Sequence, residues 1–374
     1  MTIDNDTEKR KYYLDWIKVC VVLILVPFHT AVSFSHIGHA YNYTEEVVNP
    51  FLFIFISDYF NLWFMRMLFF ISGISVFLAL KKRSKKQFIK NRFRRLMVPV
   101  IFVVFTIGPL SGYILAIQHY SYVGSFISFY PQFFLHVTQY LFWGHMWYCV
   151  YLFAYSIVTL PLFFYLKRNI DVVDQLNLFL EKKNHILLPM LIIAAFEMLF
   201  RPFYPGLQTL IGYWANFFVY LSFFIFGFVM GQSSSLMHVI SKKMMIFFIS
   251  AVASTIIYFY IKRFSNFLLE SYKIKALLSS LWGIAAYSWV FFYLAFFKRY
   301  VNKSNRLLSY LSKTSFHLYV FHYFILSIIL FFMFQTEMNY YMIWLTTTVL
   351  TYLVFIFMYE LVNRCNKYIR KFTD

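Results

Sequence analysis

A histidine deep in an apolar run is the first residue of this chain that could do chemistry. His29 lies near the far end of YYLDWIKVCVVLILVPFHTAVSFS, residues 12–35. Imidazole titrates near neutrality and can take a proton from a hydroxyl, which suits general-base work. An ionisable side chain inside a membrane-crossing segment is a functional candidate by default; the alternative is a histidine bonded to a neighbouring helix. Lys18 precedes it by eleven positions, about 16 Å of helical rise, and at about 100° per residue the two share one face. Pro27 removes a backbone donor two residues before the histidine, which predicts a kink. Asp15 and Lys18 occupy the first turns, where a charge reaches the interface by snorkelling.

A second cation, Arg66, sits in the apolar run 59–80, about 10 Å from its outer end and at a depth similar to His29. A guanidinium there needs an anionic or carbonyl partner: an acyl carbonyl, a carboxylate, a phosphate, or structurally Glu197 or a helix end. Ser72 and Gly73 end the phrase FFISG, where small residues let helices approach closely. Arg92 and Arg95, in NRFRRLMVP, are at i, i+3 on one face of a helix and could bind phosphates or lipid headgroups. His145 and Trp147, in GHMWY, offer a polar-aromatic platform for a sugar or an interfacial belt. Glu197 and Arg201 are at i, i+4 in the favourable acid-before-base order. Tyr319 and His322 share a face in TSFHLYVFH, and Glu360 is a candidate partner for Lys18. His36 and His39 lack further ligands nearby, so no metal is expected. Asn42-Tyr43-Thr44 fits a glycosylation sequon.

These residues require a membrane scaffold. Hydrophobic residues make up 61% of 374 and charged ones 13%, far from the soluble average. Apolar runs at about 12–35, 59–80, 98–118, 145–166, 185–201, 213–231, 243–261, 277–297, 314–334 and 341–361 predict an all-α polytopic membrane protein of about ten transmembrane helices. The fifth run is short, lies between Pro189 and Pro202, and is read as broken or partly re-entrant. Residues 124–144 are aromatic and nearly uncharged, suggesting an interfacial helix. The N-terminal run is too long for a cleavable signal peptide. Residues 1–374 read as one domain, with a core over 12–361 and polar tails at 1–11 and 362–374. The N-terminus and the loops after even-numbered spans hold 27 of the 34 Lys and Arg residues, which places both termini in the cytoplasm. The net charge of +19 therefore reports cytoplasmic loops and anionic lipid rather than nucleic acid. Cys20, Cys149 and Cys365 are scattered, implying neither disulfides nor zinc.

In order and spacing, YYLDWIKV…PFHTAVSFS, LWFMRMLFFISG, FIKNRFRRLMVP, GHMWYCVYL, YLSFFIFGFVMG, SFHLYVFHYFILSI and the late MYE resemble the acyltransferase-3 family of integral membrane acyltransferases. They are most similar to the branch that succinylates periplasmic glucans. The most specific match is a basic residue, ten positions and a histidine, here Lys18 and His29. The family usually carries Arg at the first of these; Lys keeps the charge and loses the planar fork. The resemblance implies transfer of a succinyl or acetyl group from cytoplasmic acyl-CoA to a hydroxyl of an extracytoplasmic glycan, with no tightly bound cofactor. His29 is then the general base or transient acyl acceptor. Lys18, Arg92 and Arg95 attract the CoA phosphates, and Arg66 holds the acyl carbonyl or a distal carboxylate. Asp15, Ser72, Gly73, His145, Trp147, Arg201, Tyr319 and His322 complete the expected binding set. Expected partners are acyl-CoA, the glycan and membrane lipids, in a bacterial cytoplasmic membrane. A glycan exporter or a small-molecule transporter on the same scaffold is the alternative.

Overall fold

The computed structural model describes residues 11–35, 51–136, 143–204, 210, 213–264 and 271–373. Among these the chain forms sixteen α-helices and no strand. In order they are α1 (Tyr12–Val32), α2 (Phe51–Lys82), α3 (Lys85–Arg92), α4 (Val98–Phe105), α5 (Ile107–His119) and α6 (Phe126–Leu135). Then come α7 (Trp147–Val158), α8 (Leu160–Arg168), α9 (Ile170–Glu181), α10 (Leu188–Phe200) and α11 (Trp214–Met230). The chain ends with α12 (Ser234–Lys242), α13 (Met244–Phe264), α14 (Tyr272–Tyr300), α15 (Arg306–Met333) and α16 (Tyr340–Thr373).

Among the described residues, seven segments are long and apolar enough to cross a membrane, and up to ten if each bent helix pair is one span. The bends are 49° between α7 and α8, 101° at the turn joining α9 and α10, and 114° between α11 and α12. The fifth expected span is α10, whose 13 residues reach only about 20 Å of a roughly 30 Å core. It is completed only through the sharp turn to α9, so the expected break is present. Helix α2 begins at Phe51 rather than near 59, and α16 runs on to Thr373 past the expected end at 361. The aromatic stretch 124–144 contributes α6, over 126–135. His36, His39, Asn42, Tyr43 and Thr44 lie outside the described residues.

Helices α1 and α15 run parallel from the same end. The Tyr13 backbone N–H donates to Asn302 Oδ1 at 3.2 Å and Trp16 Nε1 to the Lys303 carbonyl at 3.0 Å, which ties the start of α1 to the segment preceding α15. Helix α16 runs antiparallel to both, with Trp344 Nε1 donating to the Pro27 carbonyl at 3.0 Å and Tyr310 hydroxyl to Glu360 at 2.9 Å. Pro27 does not break α1, which is continuous from Tyr12 to Val32. Proline has no N–H to donate to the carbonyl four residues back, and the Tyr352 hydroxyl donates to that Leu23 carbonyl instead.

Helix α2 packs along α11 through two glycines. A Cβ on Gly73 would collide with the Phe224 carbonyl oxygen and the Phe228 nitrogen, and one on Gly227 with the Phe70 carbonyl. Only glycine admits such a backbone approach. At one end of α2, Asp58 pairs with Lys262 at the end of α13. The two ends therefore lie on one side.

Candidate active site

His29 meets two other histidines. Because α1 and α15 start level and run parallel, His29 and His322 arrive at the same height, with ring centroids 5.3 Å apart. His145 completes the group, 5.1 Å from His322. It stands on a single 3-10 turn, Gly144–Met146, that leads into α7. Gly144 has φ +44°, the left-handed region open to glycine at little cost. Tyr323 closes the cluster, stacked on His145 at 5.4 Å and edge-on to His29 at 5.5 Å. His322 and His145 are buried, while His29 is partly exposed. His145 Nε2 lies 3.0 Å from the Val320 carbonyl, and the Tyr319 hydroxyl donates to the His145 carbonyl at 2.8 Å. A partly exposed imidazole backed by two buried ones is an arrangement that can take and return a proton.

A line of hydroxyls leads from this group along α7. Tyr319 neighbours Tyr148, with centroids 6.1 Å apart, and the Tyr148 hydroxyl bonds Ser72 Oγ at 2.8 Å. Ser72 thus faces α7 while its neighbour Gly73 faces α11. The Tyr148 hydroxyl is within electrostatic reach of the Arg92 guanidinium, which also feels Arg95 and Arg83. Arg92 and Arg95 do not share a plain α-helical face, because Phe93–Met97 forms a π-helical turn. Such turns recur at functional sites. Here Arg92 is partly buried over the Phe88 ring, at 5.3 Å, and Arg95 is exposed.

Arg66 heads a separate ionic cluster. Its Nη1 donates to the Asn61 carbonyl at 2.6 Å and its Nη2 to Glu197 Oε1 at 3.0 Å. Arg201 binds the same carboxylate, with Nη2 3.0 Å from Oε1 and Nε on Oε2, and reaches Asn216 Oδ1 at 2.8 Å. The guanidinium of Arg66 lies 5.5 Å from the Tyr220 ring and 5.8 Å from that of Trp282. Tyr220 in turn stacks on Trp147 at 5.5 Å. Trp147 therefore faces the arginine cluster while His145, two residues before it, faces the histidines. Of the partners open to Arg66 from sequence, the structure has the internal one, Glu197. Its Nε, and Trp282 Nε1 beside it, are buried without a hydrogen-bond partner among the described residues. The Phe28–Phe64 ring contact, 4.8 Å, sets Arg66 near the level of His29.

Near the start of α1, Lys18 Nζ is 3.9 Å from Asp15 Oδ1. Glu360, a candidate partner for Lys18, accepts from Tyr310 instead. A narrow crevice between α1, α15 and α16 is lined by Val19, Val22, Tyr310, Thr314, Leu318 and Tyr352 among others. It extends along α15 to a point one turn short of His322. Sequence reasoning missed Tyr148, Tyr323, Tyr220, Trp282 and Asn216; the first three lie inside quoted phrases, and the last two carried no local signal. No group of three His, Cys, Asp or Glu side chains among the described residues is placed to hold a metal ion.

A family model described as an acyltransferase domain, that of acyltransferase-3, matches residues 11–360. The chain belongs to the acyltransferase-3 family. The match spans every helix of the histidine, tyrosine and arginine groups, so this multi-pass membrane protein is an acyltransferase. No curated protein and no solved structure matches the chain.

Proposed function

We propose that this acyltransferase moves a succinyl or acetyl group from cytoplasmic acyl-CoA to a hydroxyl of an extracytoplasmic glycan. One observation carries the reading: His29, His145 and His322 meet at the head of a run of polar side chains, Tyr319, Tyr148 and Arg92, that leads to the Arg83, Arg92 and Arg95 cluster. With the basic loops inside, that cluster faces the cytoplasm and meets the CoA phosphates, helped by Lys18. The histidines stand toward the other side, where a glycan arrives in the bacterial cytoplasmic membrane. The crevice beside α1 lies between the two levels.

His29 takes the proton of the glycan hydroxyl as its oxygen attacks the thioester carbonyl. The new O–C bond forms, the C–S bond breaks, and the proton passes to the thiolate of CoA. The buried donors Arg66 Nε and Trp282 Nε1 suit the free carboxylate of a succinyl group. The test is mass spectrometry of envelope glycans from cells with the wild-type chain, with His29→Ala and with neither. An acyl mass increment present only with the wild type, at unchanged glycan export, is expected. Full acylation with His29→Ala overturns the reading, and lost export with acylation intact points to a glycan exporter.

A further inference from the structure

The hydrogen-bond geometry of His322 decides where its proton is. Nδ1 lies 3.0 Å from the Leu318 carbonyl oxygen and 2.8 Å from that of Tyr319. A carbonyl only accepts, so Nδ1 carries the hydrogen and, in the neutral ring, Nε2 carries the lone pair. That nitrogen is buried and has no hydrogen-bond partner among the described residues. A buried acceptor without a donor has given up its hydrogen bond to water without replacement, and such a group in a native fold calls for an explanation. A merely structural histidine, tied back to its own helix, explains Nδ1 and leaves Nε2 unexplained.

Three described rings surround His322: His145 at 5.1 Å, His29 at 5.3 Å and Tyr319 at 6.3 Å. Two have already placed their hydrogens. His145 Nε2 faces the Val320 carbonyl, and the Tyr319 hydroxyl donates to the His145 carbonyl. The remaining ring is His29, whose contacts are otherwise aromatic: Phe28 and Tyr323.

We propose that His322 is a positioning residue for His29: its Nε2 lone pair accepts the N–H of the His29 ring, directly or across one water, and so selects the His29 tautomer. The opposite nitrogen of His29 is then an unprotonated base on the partly exposed side of the cluster. Which nitrogen of an imidazole is free depends on the hydrogen bond the other makes, and a base held by a third group is a recurring arrangement in acyl transfer. The chain of contacts runs from the Leu318 and Tyr319 carbonyls to His322 Nδ1–H, from His322 Nε2 to the His29 N–H, and from the free His29 nitrogen to the hydroxyl. In the proposed transfer the hydroxyl proton goes to His29 and on to the thiolate sulfur. His322 ends each cycle with the proton it began with and shares the charge of the transient imidazolium. The inference rests on the general-base reading of His29, but the tautomer can be read without any substrate.

The experiment is ¹⁵N solid-state NMR of the full chain, labelled at histidine, in nanodiscs of phosphatidylglycerol and phosphatidylethanolamine. Signals are assigned with His29→Ala and with the His322 variants. The wild type should show one His29 tautomer, an unprotonated His322 Nε2, and a short-range correlation from the His29 N–H to that nitrogen. His322→Asn keeps a donor for the two carbonyls and removes the lone pair, so both His29 tautomers should appear. His322→Gln puts an amide oxygen near the Nε2 position and should restore one. Glycan acylation in cells should follow the same order, falling on the order of tenfold or more with Asn and recovering with Gln. An unchanged His29 tautomer ratio in His322→Asn overturns the inference. If that variant does not fold, a mixture of both His29 tautomers in the wild type overturns it alone. A tautomer response without any acylated glycan sinks the acyl-transfer reading and leaves the histidine pair standing.

Discussion

Replacing Glu197 by alanine is expected to damage the protein more than removing either arginine that flanks it. Glu197 is fully buried and Arg66 nearly so. Arg66 Nη2 and Arg201 Nη2 are each 3.0 Å from the same Glu197 oxygen, so the two cations stand at most about 6 Å apart. Without the carboxylate their repulsion is on the order of 3 kcal/mol at an effective dielectric of about 20, and the charge-assisted hydrogen bonds go with it. Breaking a buried ion pair by deleting one partner costs about 3–5 kcal/mol, roughly two to four powers of ten in the folded ratio. Arg66→Met leaves Glu197 paired with Arg201 and the cluster neutral, so its cost is that of the lost hydrogen bonds, about 1–3 kcal/mol. The double variant Arg66→Met/Glu197→Ala should be more stable than Glu197→Ala alone, because it relieves the repulsion. Steric trapping in bicelles, with the full chain carrying two biotin tags, measures these free energies. The reasoning fails if Glu197→Ala stays within about 1 kcal/mol of the wild type, or if the double variant is the less stable of the two.

Two further outcomes follow from the packing. Tyr352→Phe should cost about 1–2 kcal/mol by leaving the Leu23 carbonyl without a donor. In a Pro27→Ala background the new N–H can reach that carbonyl, so the same change should cost markedly less; equal costs in the two backgrounds would show that Tyr352 does not replace the missing proline donor. Gly73→Ala and Gly227→Ala would each press a methyl onto backbone of the facing helix, which cannot rotate away. Each should lower stability by about 2 kcal/mol or more, although Gly→Ala within an open helix gains about 1 kcal/mol. Unchanged melting in nanodiscs would mean that α2 and α11 are not in backbone contact.

How much of the site was legible depended on whether its signal was local. Lys18 and His29 share one helix, so their spacing alone placed them on one face. Ser72, Arg92 and His145 stood out through short phrases whose residue types are rare in apolar runs. The partner of Arg66 was readable as one of several, since Glu197 is one of few acidic residues in the apolar segments. What could not be read was height. That His29, His145 and His322 are level depends on the parallel start of α1 and α15 and on the turn at Gly144, features separated by more than a hundred residues. The pairing of Lys18 was missed because Asp15, three residues away, lay closer than Glu360 on a distant helix. Helix α1 continues through Pro27, and a tyrosine on α16, which no local signal could supply, donates to the carbonyl the proline leaves unpaired.

By itself the sequence determined the class, the helical segments and the family, because hydrophobic length and the short motifs are properties of contiguous chain. Tertiary structure alone decided which ionisable groups meet. It joined two arginines to one carboxylate, and it set three imidazoles in one cluster with a single nitrogen of His322 left over. The physical reason is that a buried polar group must find its partner in space, and that partner is chosen by helix packing, which composition and periodicity do not encode.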